Sequence, residues 1–182
     1  MANGYKELFY TEITSSVSAV DMASVMSSTY DTYYLLITNL TLNADGGLKV
    51  VPKVSNTTET VENTNVASRY SSMSGSMGRR TTGNYSTRNF IAYMDVYDHD
   101  LTGASSILEG YILNSQSNSH NTYSITEVGC PTDGSSNSVW GYRYRHNMEI
   151  DNQNVYDGLY ITPVTASSIT GGKFHLYGMI NS

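Results

Sequence analysis

Large side chains recur at every second position along most of this chain, in short runs divided by clusters of Gly, Pro, Asp, Asn and Ser. A period of two is the spacing of a half-buried β-strand, and a helix cannot gather such a pattern onto one face. The runs read at Phe90 to Tyr97, Ile107 to Leu113, Tyr123 to Val128, Val139 to Arg145, Leu159 to Pro163 and Phe174 to Ile180. Turn chemistry stands between them at Asp98 to Gly103, Pro131 to Gly134 and Ser167 to Gly172. Tyr33 to Leu42, the turn Asn43 to Gly47, and Leu48 to Val54 read as an opening hairpin. In its first arm unbroken alternation puts Tyr34, Leu36, Leu40 and Leu42 on one face and Tyr33, Leu35 and Ile37 on the other. Bulk on both faces predicts a central strand. Pro52 cannot donate a ladder hydrogen bond, so the second arm is expected at an edge or a bulge. Glu7 to Val20 has weaker strand character, and Asp21 offers a cap for a short helix over Asp21 to Ser27. The expected fold is all-β: an antiparallel β-sandwich or jelly roll of about eight to ten strands with a long polar loop.

A length of 182 residues suits one domain spanning residues 1–182, with residues 1–20 able to serve as an amino-terminal arm. A single cysteine, Cys130, excludes an intrachain disulfide and fits a reducing compartment. No segment approaches the roughly 20 apolar residues of a membrane helix, and no basic-then-apolar leader is present, so no membrane partner is expected. Only 14% of residues are charged, against about 25% in typical chains. Ser, Thr and Asn fill a third of the positions, and 16 tyrosines stand against three phenylalanines. A surface of this kind is neutral and hydrogen-bonding, suited to lasting contact rather than electrostatic steering. The net charge of −6 argues against general phosphate neutralisation, hence against nucleic acid.

The residues with chemical potential do not combine into a catalytic set. Asp95, Asp98, His99 and Asp100 alternate oxygen ligands, but not at EF-hand spacing, and a strand-ending turn favours the same residues. His99, His120, His146 and His175 are scattered without a metal-ligand spacing. His175 should face away from Phe174 and Leu176, at a surface or subunit boundary. Cys130 has no base beside it in sequence, and Ser74-Gly75 forms no nucleophile elbow. Glu109, Glu127 and Glu149 could supply a glycosidase pair only if two of them face each other. Arg143 and Arg145 alternate with Tyr142 and Tyr144, which reads as a strand with one wet and one packed face. Three Asn-x-Ser/Thr sequons, at Asn39, Asn56 and Asn84, are expected by chance at this Asn, Ser and Thr content. The tyrosines within strand patterns (Tyr33, Tyr34, Tyr93, Tyr97, Tyr111, Tyr142, Tyr144, Tyr160 and Tyr177) fit half-buried faces and subunit boundaries, where tyrosine is enriched. No enzymatic activity and no cofactor or metal are expected.

Residues 55–89 form a Thr-, Ser-, Asn- and Gly-rich stretch that includes Arg79, Arg80 and Arg88 among its arginines. A strand around Val66 to Ser72 followed by a long excursion through Asn84 is expected there. Long loops within compact domains tend to be functional. Arg79, Arg80, Arg88 and Tyr85 are therefore the candidate partner contacts.

The closing segment, Asn154 to Ile161 followed by Gly171-Gly172-Lys173-Phe174-His175-Leu176-Tyr177-Gly178-Met179-Ile180, resembles the ends of small bacteriophage virion structural proteins. Those end on an Asp-Gly-aliphatic strand, a glycine turn and a Leu-Tyr-Gly-aliphatic strand. Tyr30 to Leu40 is similar to their early Tyr-x-x-Tyr strand, and Phe90 to Tyr97 to a middle one. The resemblance implies a β-sandwich of capsid decoration (cement) or fibre-head type, located in the virion after assembly in the host cytoplasm. With no shaft or coiled coil in the sequence, the head is the expected site. The major capsid protein and further copies of the chain, as a homotrimer or other homo-oligomer, are the expected partners. A fibre module binding a cell-surface glycan is the alternative.

Overall fold

A computed structural model describes residues 4–44, 46–55, 57–58, 69–74, 76–81, 92–96, 106–134, 138–150, 154–164 and 168–179. Alternation becomes thirteen strands there: β1 (Tyr5–Ile13), β2 (Val20–Met22), β3 (Thr32–Leu42), β4 (Gly46–Val54), β5 (Thr57–Thr58), β6 (Arg69–Ser74), β7 (Ser76–Thr81), β8 (Ala92–Val96), β9 (Ser106–Leu113), β10 (Thr122–Gly134), β11 (Ser138–Ile150), β12 (Gly158–Pro163) and β13 (Ile169–Met179). Every strand pairing is antiparallel. One sheet has the order β1-β13-β3-β9-β10-β11. The other runs β2-β12-β4, with β5 and β8 both on the far edge of β4. β6 and β7 form a separate hairpin whose first strand runs alongside β11.

The two sheets meet over one apolar core. Tyr33, Leu35, Ile37, Leu108, Phe174 and Leu176 from the first sheet share it with Met22, Leu48, Val50, Leu159 and Ile161 from the second. Phe174 and Leu176 face inward and His175 outward, as alternation requires. The inner face of β10 is polar at one end, where Thr122, Ser124 and Thr126 are buried.

β3 is central, between β13 and β9, but its alternation breaks. Asn39 takes a left-handed backbone (φ 53°), and pairing with β9 shifts between Ile37 and Leu40. That bulge turns Leu40 and Leu42 to the interior alongside Tyr33, Leu35 and Ile37, leaving only Tyr34 and Leu36 of the expected opposite set outside. Asn tolerates this conformation better than a branched residue would.

The expected β3–β4 hairpin is instead a crossing between sheets. Asn43 exchanges hydrogen bonds with Ser168, its N–H donating to the Ser168 carbonyl (3.1 Å) and its Oδ1 accepting from the Ser168 N–H (2.6 Å). The Val164 N–H donates to the Gly47 carbonyl at 2.7 Å. The β3–β4 and β12–β13 connections therefore cross side by side, held to each other at both ends. Val17 adds a bridge to Ile169 from the β1–β2 connection.

β4 is likewise not an edge strand. Pro52 fits because pairing with β8 ends at Val50 and pairing with β5 begins at Lys53, so its missing N–H falls in the gap. No helix forms over Asp21–Ser27: Asp21 lies in β2, and Ser24 turns the chain at φ 54°. Ile169 to Gly172, expected as part of the turn before the closing strand, instead begins β13, with two register shifts. Pro131 to Gly134 also extends β10, past the last β9 partner at Gly129. The amino-terminal stretch contains β1, paired with β13 along its length.

Candidate functional site

The outer face of the six-stranded sheet collects aromatic and acidic side chains from five separate parts of the chain. Register builds it in rows. Glu7 of β1 lies opposite Tyr177 of β13, Tyr177 opposite Tyr34 of β3, Tyr34 opposite Tyr111 of β9, and Tyr111 opposite Ile125 of β10. The next row runs Tyr10, His175, Leu36, Glu109, Glu127 and Arg145. Strand spacing of about 4.8 Å brings neighbours in a row into contact.

The rings form a connected layer. The Tyr34 centroid lies 5.2 Å from Tyr111, 5.8 Å from Tyr5 and 6.1 Å from Tyr177. His175 sits between Tyr10 at 4.7 Å and Tyr177 at 5.9 Å, its ring nearly parallel to Tyr177. These offset and tilted arrangements are the favourable ones for aromatic pairs. Tyr5 is 53% and Tyr10 49% exposed, so much of the layer lies open to solvent.

Hydrogen bonds fix the phenols against the carboxylates. Tyr34 donates to Glu109 Oε2 at 2.7 Å, and Tyr10 to Glu12 Oε2 at 3.1 Å. The Tyr5 and Tyr111 hydroxyls pair at 3.3 Å. His175 Nδ1 is 2.8 Å from Glu7 Oε1 and 3.2 Å from the Tyr177 hydroxyl. Partial burial, then the bond to Glu109, pushes the Tyr34 phenol well above the ordinary tyrosine range. Tyr177 is raised by burial and the Glu7 charge, and Tyr111 by its bond to Tyr5 and then burial. Among the described side chains the face therefore presents phenols beside Glu7, Glu12, Glu109 and Glu127 and one lysine, Lys173, 3.8 Å from Glu12, while Arg145 holds the register position opposite Glu127 on β11.

Glu109 and Glu127 do face each other across β9 and β10. Both rise from the same side of a sheet, however, while a glycosidase places its two carboxyls on either side of the scissile bond. Glu149 lies away from them, opposite Tyr123. Among the described residues no cluster of His, Cys, Asp and Glu has a metal-binding arrangement. Asp98, His99 and Asp100 lie outside the described residues, and Asp95 lies in β8. Cys130 is in β10, opposite Tyr142.

Of the candidate contacts, Arg79 and Arg80 lie on β7, opposite Ser71 and Tyr70 of β6, while Tyr85 and Arg88 fall outside the described residues. Tyr5, Tyr10, Glu7 and His175 were not among those candidates. Their joint surface depends on pairing the two ends of the chain, β1 with β13. The strand tyrosines also divide: Tyr33 is wholly buried, whereas Tyr34, Tyr111 and Tyr177 line the outer face. No family model, no curated protein and no solved structure matches this chain.

Proposed function

We propose that this chain is a structural subunit of a bacteriophage virion, a head decoration protein that lies on the major capsid protein and associates with further copies of itself. The observation that carries this reading is the outer sheet face. It is a broad layer of tyrosines held by mutual ring contacts and by bonds to carboxylates. Tyrosine suits permanent protein contact, since it offers a large apolar area and a hydrogen-bonding tip at small entropic cost. A two-sheet scaffold keeps that layer rigid before contact, which lowers the cost of ordering it on binding. The Leu-Tyr-Gly strand that resembles phage virion proteins contributes Tyr177 to this face.

Counting the protein in purified virions tests the reading. On the order of hundreds of copies per particle follow from decoration of an icosahedral head, and a handful from a fibre. Particles imaged with and without the protein should differ at the head surface. The half-exposed Tyr5 and Tyr10 also favour a second reading, stacking on a cell-surface glycan. Glycan-array binding lost in Tyr10→Ala would support that alternative.

A further inference from the structure

We propose that the tyrosine–carboxylate face receives the arginine-bearing β6–β7 hairpin of a second copy of this chain, so that copies join head to tail into a closed ring. This rests on the self-association in the reading above and names the surfaces that would carry it.

Charge is divided within the sequence. Residues 63–94 contain four arginines, Arg69, Arg79, Arg80 and Arg88, with no lysine and no acidic residue. The whole chain is −6, so with +4 in that stretch the remainder carries −10. Three of the four arginines lie on β6 and β7. The outer face offers the matching chemistry. Glu7 and Glu12 stand about half exposed beside the open rings of Tyr5 and Tyr10. Guanidinium groups bind carboxylates through paired N–H donors and stack on tyrosine rings, and lysine does neither as well.

Position makes the contact intermolecular. The hairpin runs beside β11, at one edge of the six-stranded sheet, and β1, which bears Glu7, Tyr10 and Glu12, is the opposite edge. Five strand spacings, about 24 Å, separate the two edges. The hairpin of one copy is thus placed to meet the β1 end of the next. Two different patches in contact make a heterologous interface, which closes into a ring when the rotation between copies allows it.

Sedimentation of the full chain tests this without any virus particle. The wild type should form a discrete oligomer at about 100 µM that weakens as salt rises towards about 0.5 M, because exposed ion pairs are screened. Arg79→Glu with Arg80→Glu should weaken association by about tenfold or more, and so should Glu7→Arg with Glu12→Arg. Mixing the two variants should restore a complex, because each then supplies the patch the other lacks. That recovery also shows that both variants fold. A monomeric wild type, reversals that leave association unchanged, or a mixture that stays dissociated would overturn the proposal. So would glycan binding to the face by a chain that remains monomeric. An oligomer that responds as expected while purified virions lack the protein would uphold this contact and refute the virion assignment.

Discussion

Gly178 lies in β13 directly beneath the ring of Tyr30. A Cβ added at Gly178 would come within 2.5 Å of that ring. Tyr30 in turn meets Tyr33 edge-on at 6.1 Å, and the Tyr33 hydroxyl donates to the Ser27 carbonyl at 2.5 Å while accepting from the Ser27 N–H at 2.7 Å. The glycine of the closing strand and the early Tyr-x-x-Tyr are thus two halves of one contact. Gly178→Ala should cost roughly 1–3 kcal/mol in a urea titration, because the ring must leave its place. Gly129→Ala is the control. Among the described side chains a Cβ there would meet just the Ile107 methyl, at 3.0 Å, and the loss should stay below about 1 kcal/mol.

Tyr34 makes stability depend on alkaline pH. Burial, and then its bond to Glu109, raises the phenol above its unfolded value of about 10. The folded chain therefore keeps this proton to higher pH than the unfolded chain does. The resulting stabilisation is fully present below pH of about 10 and is lost as pH rises through the folded value. Urea midpoints should fall in that alkaline range for the wild type and fall less steeply for Tyr34→Phe. An equal alkaline slope in both would show that this phenol is not a source of the linkage.

Among the elements, β2, β12 and β4 share an ion pair. Lys53 of β4 is only 4% exposed, and its ammonium donates to both carboxylate oxygens of Asp21 in β2 at 2.6 and 2.8 Å. Gly158 of β12 lies opposite Lys53, and a Cβ there would strike the Met22 carbonyl, so the three strands close tightly around this pair. Asp21→Ala strands a buried ammonium and should cost about 2–3 kcal/mol, somewhat under the usual figure for a buried pair because Asp21 itself is 49% exposed. Lys53→Met removes the charge while keeping the bulk and should fall within about 1 kcal/mol of wild type. Thermal or urea unfolding of the two variants checks the order. Equal losses would mean that the pair matters for its attraction rather than for neutralising a buried charge.

Part of this architecture is written locally in the sequence. Strands such as β9 and β13 were legible because each keeps one buried face, so Phe174, His175 and Leu176 alternate without ambiguity. The bulge at Asn39 was not, since one left-handed residue reverses every later side chain while leaving the composition unchanged. The β3–β4 turn was legible as a turn but not as a sheet crossing. Asn, Asp and Gly serve both, and the deciding bonds, from Asn43 to Ser168 and from Val164 to Gly47, come from far along the chain. The outer face escaped for the same reason. Tyr34, Tyr111 and Tyr177 become neighbours only once β13, β3 and β9 are in register.

For the molecule as a whole, the two faces of the six-stranded sheet do different work. The inner face closes the core with Tyr33, Leu35, Ile37, Phe174 and Leu176. The outer face holds tyrosines whose rings contact one another, with Tyr5 and Tyr111 still exposed, and the proposed contact with another protein rests on it. The scarcity of charge in the chain makes the division between this acidic face and the arginine stretch more consequential, because few other surface charges compete with it.

Hydroxyl-radical footprinting of Tyr5, Tyr10 and Tyr111, in purified virions and in the dilute isolated chain, shows whether the tyrosine face is covered in the particle. These rings should be labelled in the dilute chain and protected by about tenfold or more in the particle, a degree of burial expected at the centre of an interface. Equal labelling in both states, or virions that do not contain the protein, would contradict the proposed contact.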